Sequence, residues 1–505
     1  MTYLAELERW GTQEIAFDGP SDGCPFTEQT VSGCFESGAE RVEVNGFYDG
    51  EGRYIVRFMP SFEGTYRFSV TASFLTEPLT GSFTVGPAAE GVHGPVRVSG
   101  YHLVYEDGTP YWSVGTTCYV WALQSDKLIA QTLESLKVSG FNKIRFCVFP
   151  KHYVYNLHEP RSYPYEGTPM DSSVLTVDNF NDYHGACEGN DWQFDRFRPD
   201  HFRHLEKCIL ALRDLGIEAD IIMMHPYDRW GFSCMTAEQD DLYWHYAIAR
   251  FSAYRNVWWS LANEYDLLTA KTIADWERYA GFLCSEDKYH HMRSIHSCRT
   301  YYDYSRPWIT HCSMQRTDLY KTAEMTDEWR RRYGKPVVLD EIAYEGNIQH
   351  GWGNITGEEM VRRFWEGAMR GGYPGHGETF LNEEGVLWWS HGGPLRGESW
   401  KRVRFLLQIL KETPGEGLRF MGNEWDAVCA EPEDRHLARE TGYRICYYSF
   451  MRPSFREFSL DPDTDYQVEV IDTWNMTVER LGVFRGRFRV PLPGRQYMAI
   501  RLRKA

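Results

Sequence analysis

The sequence has no apolar run of the roughly 20 residues that a membrane-spanning helix needs. Its first residues, MTYLAELERWG, carry charges where a secretory signal peptide has its apolar stretch. No cluster of lysine and arginine offsets the formal net charge of -17, which disfavours nucleic acid and anionic lipid as partners. These absences predict a cytoplasmic protein without a nucleic-acid or membrane partner, and they favour neutral substrates.

None of the twelve cysteines belongs to a CxxC pair, so they indicate no metal site. Cys118, Cys147, Cys298 and Cys312 lie in or beside predicted buried strands, which suits reduced, apolar thiols in a reducing compartment. The sequence also lacks an internal repeat and a low-complexity tract, which argues against a solenoid. Nothing in the pattern implies a cofactor.

What the chain does have is length and aromatic side chains. Its 505 residues exceed what one hydrophobic core usually supports, so two or three domains are expected. Aromatic residues make up 15% of the sequence, with 18 Trp and 32 Tyr, which would suit both core packing and a site that stacks sugar rings. A carbohydrate is therefore the predicted partner, and homo-oligomerisation is left open.

The hydrophobic pattern divides the chain into three predicted domains. Residues 1–90 form an Ig-like β-sandwich, because Arg53–Phe58 and Tyr66–Val70 alternate apolar and polar residues and are predicted to pair as a hairpin. The Gly/Pro-containing segment Gly86–Gly91 separates this domain from the catalytic region, residues 91–413. Alternation returns in residues 414–505, which predicts a small C-terminal β domain.

The middle region alternates strands and helices eight times, which predicts an α/β fold, a (β/α)8 TIM barrel flanked by the two β domains. The predicted strands are Tyr111–Thr117, Asn142–Phe149, Ile217–His225, Val257–Glu264, Met292–Cys298, Trp308–Met314, Pro336–Glu341 and Gly372–Glu378. The predicted helices include Lys127–Ser139, Asp200–Leu215, Thr236–Tyr254, Thr272–Leu283, Asp318–Tyr333, Glu358–Arg370 and Trp400–Lys411.

One predicted connection is unusually long. It runs from Lys151 to Arg198 after the second strand and is rich in tyrosine. Long connections in compact domains are often lids over a site, but a surface excursion packed by its own aromatic side chains would have the same composition.

Chemically active side chains gather at the predicted strand ends. The fourth strand, in VWWSLANEYD, delivers Asn263 and Glu264, and the seventh delivers Asp340 and Glu341. Because the carboxyl ends of barrel strands share one rim, these side chains are expected to converge with polar residues from the other strands. Those residues are Arg145, His225, Tyr227, His296, His311, His376 and Glu378.

Two carboxyl groups on the fourth and seventh strands have the arrangement that cleavage of a glycoside needs. One donates a proton to the leaving oxygen, the other is an ionised nucleophile, and retaining enzymes hold the two about 5 Å apart. We therefore predict Glu264 as the acid/base and Glu341 as the nucleophile, with Asn263 bound to the sugar 2-hydroxyl. Arg145 is expected to keep the nucleophile charged.

At these motifs the chain resembles known enzymes. Asn263-Glu264 after WSLA and Glu341 after PVVLD are similar to the signatures of clan A (β/α)8 retaining glycoside hydrolases. GTTCYVW from Gly115, FDRFRPDHFRHLE from Phe194, HPYDRWGF from His225 and LDEIAYEG from Leu339 resemble the apiosidase-like family. GFYDGEGRYIVRFMP from Gly46 resembles the β-sandwich that often precedes such barrels. The resemblance implies a retaining mechanism with two glutamates, and it leaves the sugar open.

For several other residues, a functional and a structural role are both considered. Asp340 is expected to point away from Glu341 by strand alternation and to form a structural hydrogen bond. Glu345 is a rival nucleophile, although it lies past the strand end. Hydroxyl binding competes with a structural role for the histidines, and sugar stacking competes with core packing for the tryptophans. The predicted substrate-binding residues, beside Asn263, are Arg145, His225, Tyr227, His311, His376, Glu378, Trp388 and Trp389.

Two rival functions remain. The histidines at strand ends would suit a metal-dependent barrel hydrolase, but Tyr111–Thr117 contains no His-x-His, so no metal is predicted. A barrel that binds carbohydrate without cleaving it is disfavoured because both glutamates are present. The favoured function is an exo-acting retaining glycosidase for short oligosaccharides or plant glycosides.

Overall fold

The computed structural model describes residues 1–315 and 318–505, which form two compact units. The first unit comprises Met1–Val96, Val120–Asp126 and Phe146–His296, and the second comprises Arg97–Tyr119, Lys127–Arg145 and Ser297–Ala505. Within the described residues, no helix combines the length and the apolar character that crossing a membrane requires. All twelve cysteines are free thiols, and seven of them are buried. A buried free thiol packs as a small apolar group.

Seven strands form the N-terminal sheet: β1 (Glu6–Glu8), β2 (Gln13–Asp18), β3 (Val31–Glu36), β4 (Arg41–Tyr48), β5 (Arg53–Phe58), β6 (Gly64–Ala72) and β7 (Leu79–Gly86). Their order is β1-β7-β6-β3-β4-β5-β2. The two strands predicted in this region are confirmed as β5 and β6, but the predicted hairpin between them is wrong. Strand β5 pairs with β2 and β4, whereas β6 pairs with β3 and β7.

Strand β4 changes partner midway. It pairs with β3 through Arg41–Asn45 and with β5 through Gly46–Tyr48. The change needs glycine at position 46, because a Cβ there would lie 2.6 Å from Cγ1 of Val31. The sheet thereby folds over an aromatic core in which the rings of Phe35 and Phe58 stack with centroids 4.3 Å apart.

Fourteen further strands lie among the described residues of the middle of the chain. They are β8 (Val96–Ser99), β9 (His102–Tyr105), β10 (Gly115–Thr117), β11 (Lys143–Cys147), β12 (Tyr165–Thr168), β13 (Asp191–Phe197), β14 (Glu218–Met224), β15 (Val257–Ala262), β16 (Arg293–Ser294), β17 (Cys312–Gln315), β18 (Val337–Glu341), β19 (Glu345–Gly346), β20 (Tyr373–His376) and β21 (Glu378–Thr379). Three pairs are small separate sheets: β8 with β9, β12 with β13, and β19 with β21.

The other eight strands form one parallel sheet in the order β16-β15-β14-β11-β10-β20-β18-β17. Here β10 is the first strand along the chain and β20 the eighth. Because the first strand lies between the second and the eighth, the order is cyclic, as it is in a (β/α)8 barrel. All eight predicted barrel strands are confirmed, although four are shorter at both ends than the apolar pattern suggested, three are shorter at one end, and the sixth begins and ends later.

In the described part of the chain the strands are accompanied by ten helices: α1 (Pro25–Glu28), α2 (Asp126–Ser139), α3 (Pro199–Asp214), α4 (Ala237–Phe251), α5 (Ile273–Glu286), α6 (Thr326–Tyr333), α7 (Gly357–Met369), α8 (Trp388–His391), α9 (Ser399–Lys411) and α10 (Arg435–Thr441). Capping boxes at Thr236 and Thr272 explain where α4 and α5 begin. The predicted helix Asp318–Tyr333 starts too early, because the Asp318 side chain accepts hydrogen bonds from the backbone of residues 320 and 321 and so favours a turn.

The long connection after β11 is ordered by its own side chains. Strands β12 and β13 pair in antiparallel fashion, with a register shift at Tyr165 and Glu166. The ring of Tyr165 packs between Phe194 and Phe197, with centroids 5.0 and 5.2 Å away. Of the two readings of this segment, the structure therefore favours an excursion packed by its own aromatic residues.

The C-terminal strands are β22 (Leu418–Glu424), β23 (Ala427–Pro432), β24 (Arg444–Tyr447), β25 (Phe455–Ser459), β26 (Tyr466–Asp472), β27 (Thr477–Phe484), β28 (Arg487–Pro491) and β29 (Met498–Lys504). Six of them form a sheet in the order β22-β23-β24-β29-β26-β27, and β25 pairs with β28. A buried cluster that includes Val468, Val490 and Ile500 is their common core.

Candidate active site

Glu264 lies two residues beyond β15, every residue of which is buried. Its backbone is in the left-handed region, at φ 51° and ψ 55°, which is uncommon for residues other than glycine. The carboxylate is 5% exposed. Strain of this kind costs about 1–3 kcal/mol and is concentrated at functional sites.

Two donors hold the Glu264 carboxylate. The Tyr227 hydroxyl donates a short hydrogen bond to Oε2, and the Asn263 amide donates to the same oxygen at 3.3 Å. Among the residues that the structure describes, no lysine or arginine side chain lies within 4.0 Å of Glu264. The carboxyl group is therefore held by neutral donors.

Tyr227 is itself held by residues of the long connection. The Lys151 ammonium lies 4.1 Å from the centre of its ring, and Tyr153 packs edge-on at 5.5 Å. A cation over an aromatic face is attracted by the ring's quadrupole. The connection therefore contributes to the surroundings of Glu264 through Tyr227.

The two ring nitrogens of His225 have different surroundings. Its Nε2 lies 3.3 Å from the carbonyl oxygen of Phe149, while Nδ1 is buried without a partner in the described part of the chain. Burial, followed by the positive charge of Lys151, lowers the pKa of His225 to about 3. A neutral imidazole is the form suited to hydrogen bonding with a hydroxyl group.

Glu341 ends β18 in the second unit and has a different set of partners. Tyr119 donates a short hydrogen bond to its Oε1, and Nη1 of Arg145 lies 3.5 Å from the same oxygen. Arg145 is 1% exposed, so its charge acts with little screening by solvent. The guanidinium therefore lies beside the carboxylate of Glu341.

The neighbouring Asp340 accepts hydrogen bonds from Lys143 Nζ at 2.9 Å and from Ser313 Oγ at 2.5 Å, which confirms its predicted structural bonding. The expectation that it points away from Glu341 is wrong. Lys143 and Arg145 project from one face of β11, and each contacts one of the two carboxylates. The cause is a register irregularity between β17 and β18, which interrupts the alternation.

Tyr119 was not predicted from the sequence. Its backbone N–H donates to the carbonyl oxygen of Trp389 at 2.9 Å, and the Trp389 ring packs edge-on against it at 5.5 Å. The ring centroids of Trp352 and Trp389 lie 5.1 Å apart. The only sequence signal for Tyr119 was its position two residues after the first barrel strand, inside GTTCYVW.

Three other predicted sugar ligands lie in the interior of the second unit. Trp388 is 2% exposed and donates from Nε1 to Thr116 Oγ1 at 2.8 Å, and His376 Nδ1 lies 3.2 Å from the same oxygen. The His376 ring packs on Phe141 at 4.6 Å. Glu378 accepts hydrogen bonds from the backbone of residues 396 and 397, and burial raises its pKa to about 7. These three side chains therefore make contacts that are typical of polar and aromatic groups inside a protein core.

Two further histidines are also buried. His311 Nδ1 lies 2.9 Å from Thr310 Oγ1, and burial lowers the pKa of His311 to about 3. His296, from the fifth strand, exchanges backbone hydrogen bonds with Ala262 and Tyr265 and is fully buried. Among the described residues, one group has the spacing of metal ligands, and it comprises Glu345, His376 and Glu378.

Family models match almost the whole chain. The apiosidase-like catalytic domain matches residues 98–403. Residues 6–73 and 425–503 match two domains of unknown function, DUF5060 and DUF5605. None of the curated proteins matches the chain.

Solved structures agree with this assignment. The crystal structure of a candidate glycoside hydrolase from Bacteroides vulgatus is 35% identical, with a TM-score of 0.90, and the match covers 99% of this chain and 100% of that one. A family 5 glycoside hydrolase from the same species is 17% identical, with a TM-score of 0.57, over 81% of this chain and 94% of that one. The second likeness concerns the fold alone. Together they confirm the predicted barrel with β-rich regions before and after it.

Proposed function

This chain belongs to the apiosidase-like family and is a barrel-type glycoside hydrolase, and on that premise we propose that it retains anomeric configuration through two glutamates. Glu264 is the acid/base and Glu341 the nucleophile. Both lie at the carboxyl ends of barrel strands, the fourth and the seventh along the chain, which is where such barrels carry their catalytic groups.

The observation that carries the assignment is the difference between the two carboxyl environments. Glu341 has the buried guanidinium of Arg145 at 3.5 Å, which stabilises the anion that a nucleophile must be. Glu264 accepts hydrogen bonds from Tyr227 and Asn263, which are both neutral donors. Two carboxyl groups in unlike environments can divide the acid and nucleophile roles.

The proposed reaction has two steps. Glu341 attacks the anomeric carbon while Glu264 gives its proton to the leaving oxygen, which forms a covalent glycosyl-enzyme and releases the aglycone. Glu264 then takes a proton from water, which attacks the same carbon and frees Glu341. In this proposal Asn263, beside the acid, binds the sugar 2-hydroxyl, a contact that strengthens in the transition state.

We also propose exo action on short oligosaccharides or plant glycosides. What supports it is the start of the connection after β11, where Lys151 and Tyr153 contact the ring of Tyr227, the partner of Glu264. An ordered segment beside the acid would limit the length of chain that can extend past it. Comparing nitrophenyl monoglycosides with polymeric substrates tests this part.

The catalytic assignment is tested by substitution and by trapping. We expect Glu341→Gln to lose at least about a thousandfold in kcat, and a 2-fluoro glycoside to label Glu341 in the wild-type enzyme. Glu264→Ala should retain activity only on substrates with good leaving groups, and azide should restore it. Asp266→Asn, two residues from the acid, is the control. Near wild-type turnover by Glu341→Gln, or a label on Glu345, would overturn the proposal.

A further inference from the structure

Three buried side chains of the second unit form a carboxylate–imidazole cluster: Glu345, His376 and Glu378. Glu345 in β19 and Glu378 in β21 are register partners in a parallel pair, and His376 ends β20. One ligand atom from each residue lies within 4.8 Å of the other two. The three residues are 4%, 0% and 1% exposed, so the cluster is shielded from bulk solvent.

Two atoms of the cluster have no hydrogen-bond partner in the described part of the protein. They are Nε2 of His376 and Oε1 of Glu378, which lie 3.7 Å apart and face each other. The second oxygen of Glu378 is satisfied, since it accepts from the backbone N–H groups of residues 396 and 397. Leaving a buried polar atom unpaired costs about 1–3 kcal/mol, so a missing partner is indicated between them.

The cluster also lacks a lysine or arginine partner among the described residues. Glu345 accepts hydrogen bonds from Glu398 N and from the backbone and hydroxyl of Ser399, which cap helix α9. Over residues 1–315 and 318–505, no lysine or arginine side chain lies within 4.0 Å of the carboxylate of Glu345 or Glu378. Buried carboxylates are normally paired with a cation or a metal ion, or carry a proton.

Thr116 sets the orientation of the His376 imidazole. Thr116 Oγ1 accepts from the Trp388 indole at 2.8 Å and lies 3.2 Å from His376 Nδ1, so it can accept the Nδ1 hydrogen as well. That tautomer leaves the lone pair of Nε2 directed at Glu378. Histidines that bind metal ions are held in the same way, with the second nitrogen donating to a neighbouring acceptor.

We propose that the cluster binds one divalent metal ion of the zinc class through His376 Nε2, Glu378 Oε1 and one carboxylate oxygen of Glu345. Two ligands of a tetrahedral zinc, each about 2.0–2.2 Å from the metal, lie roughly 3.3–3.6 Å apart, close to the 3.7 Å between Nε2 and Oε1. Imidazole among the ligands favours zinc over magnesium or calcium. Two carboxylates and a neutral imidazole would balance the charge of the ion.

The role of this ion is structural. Its two carboxylates hold residues 396–399, the segment that leads into α9, against the end of the eighth barrel strand. A Cβ on Gly397 would lie 2.4 Å from Glu345 Oε2 and 2.8 Å from Glu378 Oε1, so glycine closes the cluster on that side. The site takes no part in the proposed hydrolysis, and its test does not depend on that activity.

The test uses the full chain, purified without metal-affinity steps, equilibrated with Zn²⁺ and dialysed. We expect one zinc per chain by mass spectrometry, and a lower Tm after chelation that returns on adding Zn²⁺. Glu378→Gln keeps an acceptor for the backbone N–H groups but removes the charge, and it should bind zinc at least about tenfold more weakly. Glu384→Gln, an exposed carboxylate of the same region that pairs with Arg396, is the matched control and should retain the metal.

Several outcomes would overturn the proposal. Wild-type protein without stoichiometric zinc, or with the same Tm before and after chelation, would show that Glu378 carries a proton instead. Equal zinc binding by wild type and Glu378→Gln would place the metal elsewhere. Should Glu378→Gln fail to fold, Co²⁺ added to the wild-type chain gives a second measure. Visible absorption bands of tetrahedral cobalt are expected, and their absence also refutes the site.

Discussion

The ammonium group of Lys143 lies 2.9 Å from the carboxylate of Asp340, and both side chains are 3% exposed. This buried ion pair joins the second and seventh barrel strands directly before Glu341. A buried charge without its partner is strongly destabilising, whereas a pair replaced by apolar groups is often tolerated. The pair therefore supports the strand that carries the proposed nucleophile.

Removing one member of this pair is expected to destabilise the protein. Asp340→Ala removes the carboxylate that lies 2.9 Å from the buried Lys143 ammonium, and we expect the free energy of unfolding to fall by about 3–5 kcal/mol. Urea unfolding followed by fluorescence measures this. The double variant Lys143→Met with Asp340→Leu should recover most of the loss. A single variant within about 1 kcal/mol of wild type would contradict the prediction.

The two phenolic hydrogen bonds predict different kinetic effects. Tyr227→Phe removes a donor from the acid, so the loss in kcat/KM should be larger for poor leaving groups than for nitrophenyl glycosides. Tyr119→Phe removes a donor from the nucleophile and should lower the rate for both substrate types, by about 10²-fold. Tyr320→Phe, an 83% exposed residue, is the control. An equal dependence on the leaving group in both variants would show that the two roles are not divided as proposed.

A buried ion-pair network predicts a large stability effect in the first unit. Arg57 of β5 donates to Glu206 of α3 at 2.6 and 2.9 Å, and Arg250 of α4 pairs with the same carboxylate at 2.6 Å. Arg57→Ala should lower the free energy of unfolding by about 3–5 kcal/mol. Arg53→Ala removes an exposed pair with Glu14 and should cost less than about 1 kcal/mol. Denaturation midpoints compare the two, and similar shifts would refute the distinction.

Glu218 predicts a pH-dependent component of stability. Burial raises its pKa to about 8, against the opposing effects of a hydrogen bond from Trp258 and the charge of Arg255. Because the folded state then binds more protons than the unfolded state between pH of about 4.5 and 8, this component is present below that window and is lost as pH rises through it.

Glu218→Gln should remove that dependence while keeping an acceptor for the Trp258 indole. Relative to wild type, the variant is expected to gain stability from pH 5 to 8, by at most roughly 1.4 kcal/mol per pH unit. Urea unfolding at several pH values measures the difference. A difference that stays constant across this range would rule out a raised pKa.

Sequence patterns predicted the barrel strands well and their surroundings less well. Apolar runs such as VWWSLA identify buried parallel strands because both faces of the sheet are covered. Pairing was not predictable, as the hairpin expected between β5 and β6 shows, since either strand could satisfy its pattern against several partners. The hairpin within residues 151–198 was missed because its few alternating residues lie between polar turns.

The sequence alone determined which residues lie at or just beyond the ends of the fourth and seventh strands, and hence the two candidate glutamates, because an apolar run shows roughly where a buried strand stops. Only the tertiary structure decided which polar groups contact them. It brought Tyr119 and Arg145 to Glu341, and it placed His376, Glu378 and Trp388 in the interior. The physical reason is that side-chain direction past a strand end depends on register irregularities and on packing with residues distant in sequence, which no local pattern encodes.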